Sequence, residues 1–348
     1  MTAPTNPLLI PVREDWLARN REPAIEPDLP IVDAHHHLWD RVDSRYLFDD
    51  LLADMNAGHD VRATVFVQAG AMHRRSGPAE LQPIGEIEFA NGVAAQAASG
   101  TYGRRYACAA IVGRADLTLG DRVEPVLAAA IAAGNGRLRG IRYPVSYHPH
   151  DAVRVGSSVP PRGVLLDPAF QEGARRLARH RLALDVWAYH TQLGEVDALA
   201  RAAPGTTVVL DHVGGPIGVG PYAGRHDETF AEWRRGMVDL ARHPNVVVKL
   251  GGLGMRVSGS TFHERAAPPT SEELATTWRP YIATTLELFG TKRCLFESNF
   301  PVDKGMFSYG VMWNAFKRLA AGASGVEKTA LFSGTAMAVY RLNPADLE

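Results

Sequence analysis

Along most of this chain, short β-branched apolar runs alternate with longer alanine- and leucine-rich stretches whose apolar positions recur every three or four residues. The short runs predict strands and the longer ones amphipathic helices. Strands are expected over 31–37, 63–68, 106–112, 138–143, 183–187, 207–211, 246–250 and 293–297, eight in all. Helical patterns fall between them, for example over 121–133, 168–181 and 193–203. Pro125 and Pro168 stand near helix starts, where the N–H that proline lacks has no intrahelical partner anyway.

Eight strand–helix alternations in 348 residues predict an α/β fold, a parallel (β/α)8 TIM barrel, with a doubly wound open sheet as the rival arrangement. Residues 1–30, with several prolines and one short helical pattern around Trp16, are expected to form an N-terminal arm, and 31–348 a single barrel domain. The segments after strands two, four, six and seven (70–83, 144–166, 213–229 and 251–270) are long, whereas those leading from helix to strand are mostly short. In a barrel the long ones share the C-terminal face, so they are expected to cover a site there.

Composition narrows the function classes. With a formal net charge of -1 and 46% hydrophobic residues, nothing points to nucleic acid or to a membrane surface. Cys108 and Cys294 each sit in an apolar run and read as reduced core thiols, not as a disulfide or zinc framework. The N-terminus has no basic segment followed by an apolar one, and no apolar run approaches membrane-spanning length, so a cytoplasmic location is expected. The expected partner is a small anionic substrate. Self-association into a homo-oligomer stays open.

The chemistry concentrates in IVDAHHHLWD, residues 31–40. Two-residue spacing puts the imidazoles of His35 and His37 on one face of a strand, while His36 points the other way. His212 ends the sixth strand in VVLDHVGGP, where Gly214, Gly215 and Pro216 turn the chain. Three imidazoles at strand ends can hold a divalent ion that keeps a position open for water.

With these motifs on the page, the chain resembles the amidohydrolase superfamily, in particular its amidohydrolase 2 group, which includes sugar-acid lactonases, 2-pyrone-4,6-dicarboxylate lactonase and aminocarboxymuconate semialdehyde decarboxylase. DAHHHLWD is similar to the family's opening D-x-H-x-H strand, LDHVGGP to its strand-six histidine motif and LFESNFPVDK to its last strand, over about residues 31–341. The resemblance implies that His35, His37 and His212 bind a metal, zinc or manganese, or polarise a carbonyl directly. Some relatives act without metal, so metal-independent action stays open.

One position departs from that pattern. The family's last strand usually carries Ser-Asp, the aspartate serving as general base; here Ser298 and Asn299 stand there, and an amide cannot take up a proton at neutral pH. Glu297, facing inward one layer deeper, and Asp303, in the following loop, are the candidate replacements. Glu297 can equally be a structural carboxylate paired to Lys249, an odd charge inside strand seven.

Arg142 ends strand four in GIRYP, where the resemblance implies a contact to a substrate carboxylate; an arginine there must meet either a ligand or an internal carboxylate. Gln68, Trp187 and Tyr143 are further substrate-contact candidates, and the loops carry more cations, among them Arg74, Arg265 and Lys304. The expected function is hydrolysis of a lactone or related ring ester of a small carboxylate-bearing molecule. The alternative is a metal-assisted decarboxylase or lyase of an aromatic or unsaturated acid, which needs no hydrolytic base.

Overall fold

A computed structural model describes residues 9–154 and 159–343. Parts of the expected arm (1–8) and of the loop after the fourth strand (155–158), with the tail 344–348, lie outside the described residues. Eight parallel strands follow one another around a single sheet in chain order: β1 (Ile31–His36), β2 (Val61–Val67), β3 (Tyr106–Gly113), β4 (Leu138–Arg142), β5 (Ala183–Val186), β6 (Val208–Leu210), β7 (Val246–Leu250) and β8 (Cys294–Phe296). Each strand leads into a helix, the first being Phe48–Met55 and the last of the series Tyr309–Leu319.

The sheet closes on itself beyond the end of β8. There Asn299 N–H donates to His35 O at 2.9 Å and His37 N–H to Phe300 O at 2.8 Å. Asp33 reinforces the seam, accepting from Ser298 N–H at 2.8 Å and from the Tyr309 hydroxyl at 2.9 Å. The architecture is therefore the expected (β/α)8 barrel and not the open sheet.

Strand residues are buried on both faces, as a barrel wrapped in helices requires. Outward-facing Phe66 and Ile111 pack with Phe170, Trp233 and Trp313 of the helices. Inward-facing Val32, Ala34, Val65, Val112, Val247 and Leu295 fill the barrel with Tyr340, contributed by the C-terminal helix Thr335–Tyr340. Helix starts follow sequence chemistry. Asp167 accepts from Ala169 N–H at 2.8 Å ahead of Pro168, and Thr270 with Glu273 forms a reciprocal capping box before Ser271–Phe289.

Strand alternation alone would not have placed His35 correctly. Asp33 pairs with Thr64 but His36 pairs with Phe66, so β1 carries one extra residue at this point. The bulge brings His35 and His37 into phase with Val32 and Ala34 inside the barrel. His36 then lies outside, against Phe66, with Nε2 2.8 Å from Thr64 Oγ1.

Two further features lie beyond the sequence reading. A two-stranded antiparallel hairpin, Trp39–Arg41 with Ser44–Tyr46, intervenes between β1 and its helix. The N-terminal segment contains the short helix Glu14–Leu17 and straps the loop after β7: Trp16 Nε1 donates to Arg265 O at 2.9 Å, Arg19 to Ala266 O at 2.8 Å and Asn20 to Pro269 O at 2.7 Å. Both cysteines are buried free thiols. No described helix is long and apolar enough to cross a membrane.

A pair of glycines in helices tests the packing of the helical layer. A Cβ at Gly173 would stand 2.3 Å from Leu117 O, whereas one at Gly194 would meet nothing within 4 Å. Gly173→Ala is expected to destabilise the protein by about 1–3 kcal/mol in urea unfolding. Gly194→Ala should be neutral or stabilising by up to about 1 kcal/mol.

Candidate active site

At the C-terminal mouth of the barrel the inward side chains change from apolar to charged. His35, Arg142, Asp185, Asp211, Lys249 and Glu297 are all buried in or just beyond the strands. A buried charge is tolerated only when partners replace the lost water, and here each has them. Lys249 Nζ donates to Asp185 Oδ2 at 2.6 Å and lies 3.0 Å from Asp211 Oδ1 and 3.1 Å from His35 Nδ1. Tyr340 donates to the same Asp185 oxygen at 2.8 Å. Arg142 Nη1 is 3.3 Å from Asp211 Oδ2, and its Nη2 donates to Gln68 O.

Above this layer stand the imidazoles. The rings of His35 and His37 lie 4.8 Å apart, as do those of His35 and His212. His37 Nδ1 is 2.7 Å from Val67 O, a group that can only accept, so the proton sits on Nδ1 and Nε2 keeps its lone pair. His212 Nδ1 is 2.7 Å from Glu297 Oε1, which likewise leaves Nε2 open. His35 Nδ1 meets two different neighbours, Glu297 Oε2 at 2.9 Å and Lys249 Nζ at 3.1 Å. Burial, with Lys249 alongside, lowers the His35 pKa to about 4, and burial also takes His37 well below its ordinary value. Both rings are therefore neutral near pH 7, the form that can ligate a metal.

Glu297 is thus not the partner of Lys249 that the sequence suggested. Burial opposes its charge, but His212 and His35 outweigh burial and hold the carboxyl down at about 2. It also accepts from His212 N–H at 3.0 Å. Lys249 pairs with Asp185 and Asp211 because all three point inward from adjacent strands, whereas Glu297 sits one layer nearer the mouth.

The His212 turn is strained. His212 has φ 58° and Val213 φ 47°, the second a rare state for a β-branched residue. Trp233 Nε1, donating to Val213 O at 2.6 Å, and Glu297 hold the turn in place. Glycine is required opposite it: at Gly252, φ +66°, a Cβ would come within 2.3 Å of His212 Nδ1.

Asn299 also has positive φ, 56°, and its Nδ2 donates to Asp303 Oδ1 at 2.9 Å. Asp303 Oδ2 accepts from Gly254 N–H at 2.9 Å. Burial pushes the Asp303 carboxyl up to about 7, although these donors and nearby His212 favour its charge. A carboxyl poised there can give or take a proton at neutral pH.

Of the expected substrate contacts, Trp187 is half-buried, its ring 4.8 Å from that of His212. Arg142 reaches the site but meets the internal carboxylate Asp211, so it is not a free anion anchor. Gln68 takes part through its backbone carbonyl. Tyr143 faces the helices, against Phe170 and Arg114, because strand alternation turns it opposite to Arg142. The loop cations Arg74, Arg265 and Lys304 pair with Glu88, Glu273 and Asp54. Asp211, Asp185 and Tyr340 were not singled out from sequence, although Asp211 directly precedes His212 in its motif.

The donor set fits a divalent ion. Ligand atoms of His35, Asp211 and His212 lie within 4.8 Å of one another, a nitrogen and oxygen set suited to zinc. His37, expected as a third imidazole ligand, stands beside this cluster against His35. Around the imidazoles the carboxylates Asp211, Asp185 and Glu297 outnumber the cations Lys249 and Arg142 by one, which favours a bound cation.

A family model described as amidohydrolase matches residues 32–342. The chain belongs to the amidohydrolase family. It is 32% identical over 337 residues to the uncharacterised protein y4mH of Sinorhizobium fredii, covering 90% of this chain and 99% of that one. It is 29% identical to an L-fucono-1,5-lactonase of Burkholderia multivorans, covering 90% and 97%. A zinc-bound amidohydrolase crystal structure from Burkholderia multivorans superposes with a TM-score of 0.68 at 27% identity, over 90% of this chain and 99% of that one. Family, fold and donor set together make this an amidohydrolase-superfamily enzyme with a metal-binding site.

Protein purified without chelator is expected to carry close to one zinc per chain by elemental analysis, and His212→Ala close to none. Glu297→Gln keeps the ligands but loses the carboxylate behind two of them. Its zinc affinity should fall by about 10–100-fold.

Proposed function

We propose that this amidohydrolase opens a lactone, an internal ring ester, of a small carboxylate-bearing molecule by water attack. The observation that carries this reading is the gathering of His35, His37 and His212 beside Arg142 at the barrel mouth, where each can face one carbonyl oxygen. The 29% identity to an L-fucono-1,5-lactonase supports the lactone as the carbonyl in question. A divalent ion held by His35, Asp211 and His212 would act as a Lewis acid on that carbonyl and lower the pKa of bound water.

The chain's own groups have separate tasks. Arg142 Nη1, 3.3 Å from His35 Nε2, places a fixed positive charge where negative charge develops on the carbonyl oxygen. Trp187 offers a flat apolar wall next to His212, against which a ring can lie. Glu297, clamped between two imidazoles, keeps them oriented and is not the base. Asp303 fills that role in this reading, its carboxylate taking the proton of the attacking water directly while Asn299 Nδ2, donating to Oδ1, orients it. Two buried free thiols fit a reducing compartment, and we place the enzyme in the cytoplasm.

A second reading, decarboxylation or another lyase reaction on an unsaturated acid, draws support from the site's carboxylates. Asn299 provides no base, Glu297 is committed to its histidines, and Asp303 at about 7 keeps a proton to give at and below neutral pH. On side-chain chemistry alone this reading is the better supported of the two; the likeness to a lactonase favours the first.

The two readings require opposite charge states of Asp303. Lactone hydrolysis by ionised Asp303 should rise with pH through about 7, and proton donation by neutral Asp303 should fall over the same range. We expect ring opening in a panel of sugar-acid lactones, followed by acid release, with a rising limb near pH 7 that disappears in Asp303→Asn. Carbon dioxide release from aromatic or unsaturated acids, with a falling limb, would replace the first reading by the second.

A further inference from the structure

We propose that Arg41 anchors a carboxylate of the substrate and so sets which ring esters this site accepts. The inference rests on the lactone reading above and supplies the anion anchor that Arg142, held by Asp211, is not. Arg41 belongs to the hairpin after β1, two residues beyond Trp39 and four beyond His37. Two-residue spacing sends these three side chains up one side of the barrel mouth. The contacts follow that order. The Trp39 ring stacks on His37 with centroids 5.8 Å and planes 24° apart, and Arg41 Cζ lies 4.2 Å from the centre of the Trp39 ring. Trp39 Nε1 donates to Ser44 Oγ at 2.9 Å across the hairpin, which fixes the indole against the guanidinium.

The guanidinium is only partly satisfied. Its Nη2 donates to Ala69 O at 2.8 Å, just past the end of β2, and among the described residues no carboxylate forms an ion pair with it. Glu86 lies near enough to favour its charge, but Glu86 Oε1 accepts from Ala69 N–H at 2.8 Å and Ala71 N–H at 3.0 Å instead. Burial lowers the Arg41 pKa, as expected of a charge that has lost water without gaining an ion-pair partner. Arg74, Arg265 and Lys304, by contrast, each meet a carboxylate. A half-buried planar fork with N–H groups to spare matches a carboxylate through two parallel hydrogen bonds. Stacking on Trp39 leaves it little freedom to lose on binding. Arg41 is one indole removed from His37, so a lactone with its carbonyl at the imidazoles meets Arg41 only through a carboxylate carried away from the reacting ester.

Steady-state kinetics on paired lactones, one bearing a carboxylate substituent and the other a carboxamide in its place, test the proposal on the intact enzyme supplied with zinc. The parent should favour the carboxylate by at least about tenfold in kcat/KM, most of it in KM. Arg41→Gln removes the charge but keeps a donor for Ala69 O, whereas Arg41→Met removes both. Each variant should raise KM for the carboxylate lactone by about 10–100-fold, with a smaller change in kcat, and bring the preference close to one. Where Arg41→Met does not fold, Arg41→Gln carries the same expectation. A preference that survives in either folded variant overturns the proposal; survival in Arg41→Gln alone would show that the contact with Ala69 matters and the charge does not. A parent that opens these lactones without regard to the carboxylate overturns this proposal alone. A parent that opens none of them overturns the lactone reading, and this proposal with it.

Discussion

Five charged side chains are buried together at the mouth of this barrel, and most of what is distinctive in the structure follows from the need to satisfy them. Burying an unpaired charge is far more costly than any single packing contact gains, so none of Arg142, Asp185, Asp211, Lys249 and Glu297 can move independently. Tyr340 reaches in from the C-terminal helix to complete the set on Asp185. The end of the chain is thereby tied to the chemistry at its centre. Such a network is rigid because each member is held by at least one buried ion-pair or hydrogen-bond partner.

That rigidity is what the imidazoles above it use. His35 is positioned by Lys249, Glu297 and Arg142, His212 by Glu297 and a strained turn, and His37 by the Val67 carbonyl. Three nitrogen atoms are presented with little freedom left to lose on binding, the condition under which preorganised electrostatics are effective. The same network limits the site. Arg142 and Asp211 neutralise each other in part, and Glu297 is held by its imidazoles, which leaves Asp303, with its raised pKa, as the base of the proposed hydrolysis.

Asn299 links this electrostatic layer to the fold. Its backbone N–H closes the barrel onto His35 while its side chain orients Asp303, so one residue serves both the seam and the site. An aspartate in its place would face the Asp303 carboxylate at hydrogen-bond distance, and two carboxyls sharing one space cannot both ionise. The amide removes that conflict.

The sequence by itself determined the barrel, because hydrophobic periodicity is local and eight alternations of period two and period 3.6 leave few alternatives. It also marked out His35, His37 and His212, which the fold brings together, since two-residue spacing and a glycine-rich turn can be read from neighbours along the chain. What it could not supply was which charges meet. Lys249 looked like a partner for Glu297, but the register of β5, β6 and β7 gave it Asp185 and Asp211. For Arg142 the sequence left a ligand and an internal carboxylate both open, and the fold supplies the carboxylate Asp211, while Tyr143 faces the helices. Even the shared face of His35 and His37 with Val32 depends on a bulge that only pairing with β2 reveals. Partner choice among buried charges is a property of strand register and closure, contacts between residues dozens to hundreds of positions apart, and only the tertiary structure decided it.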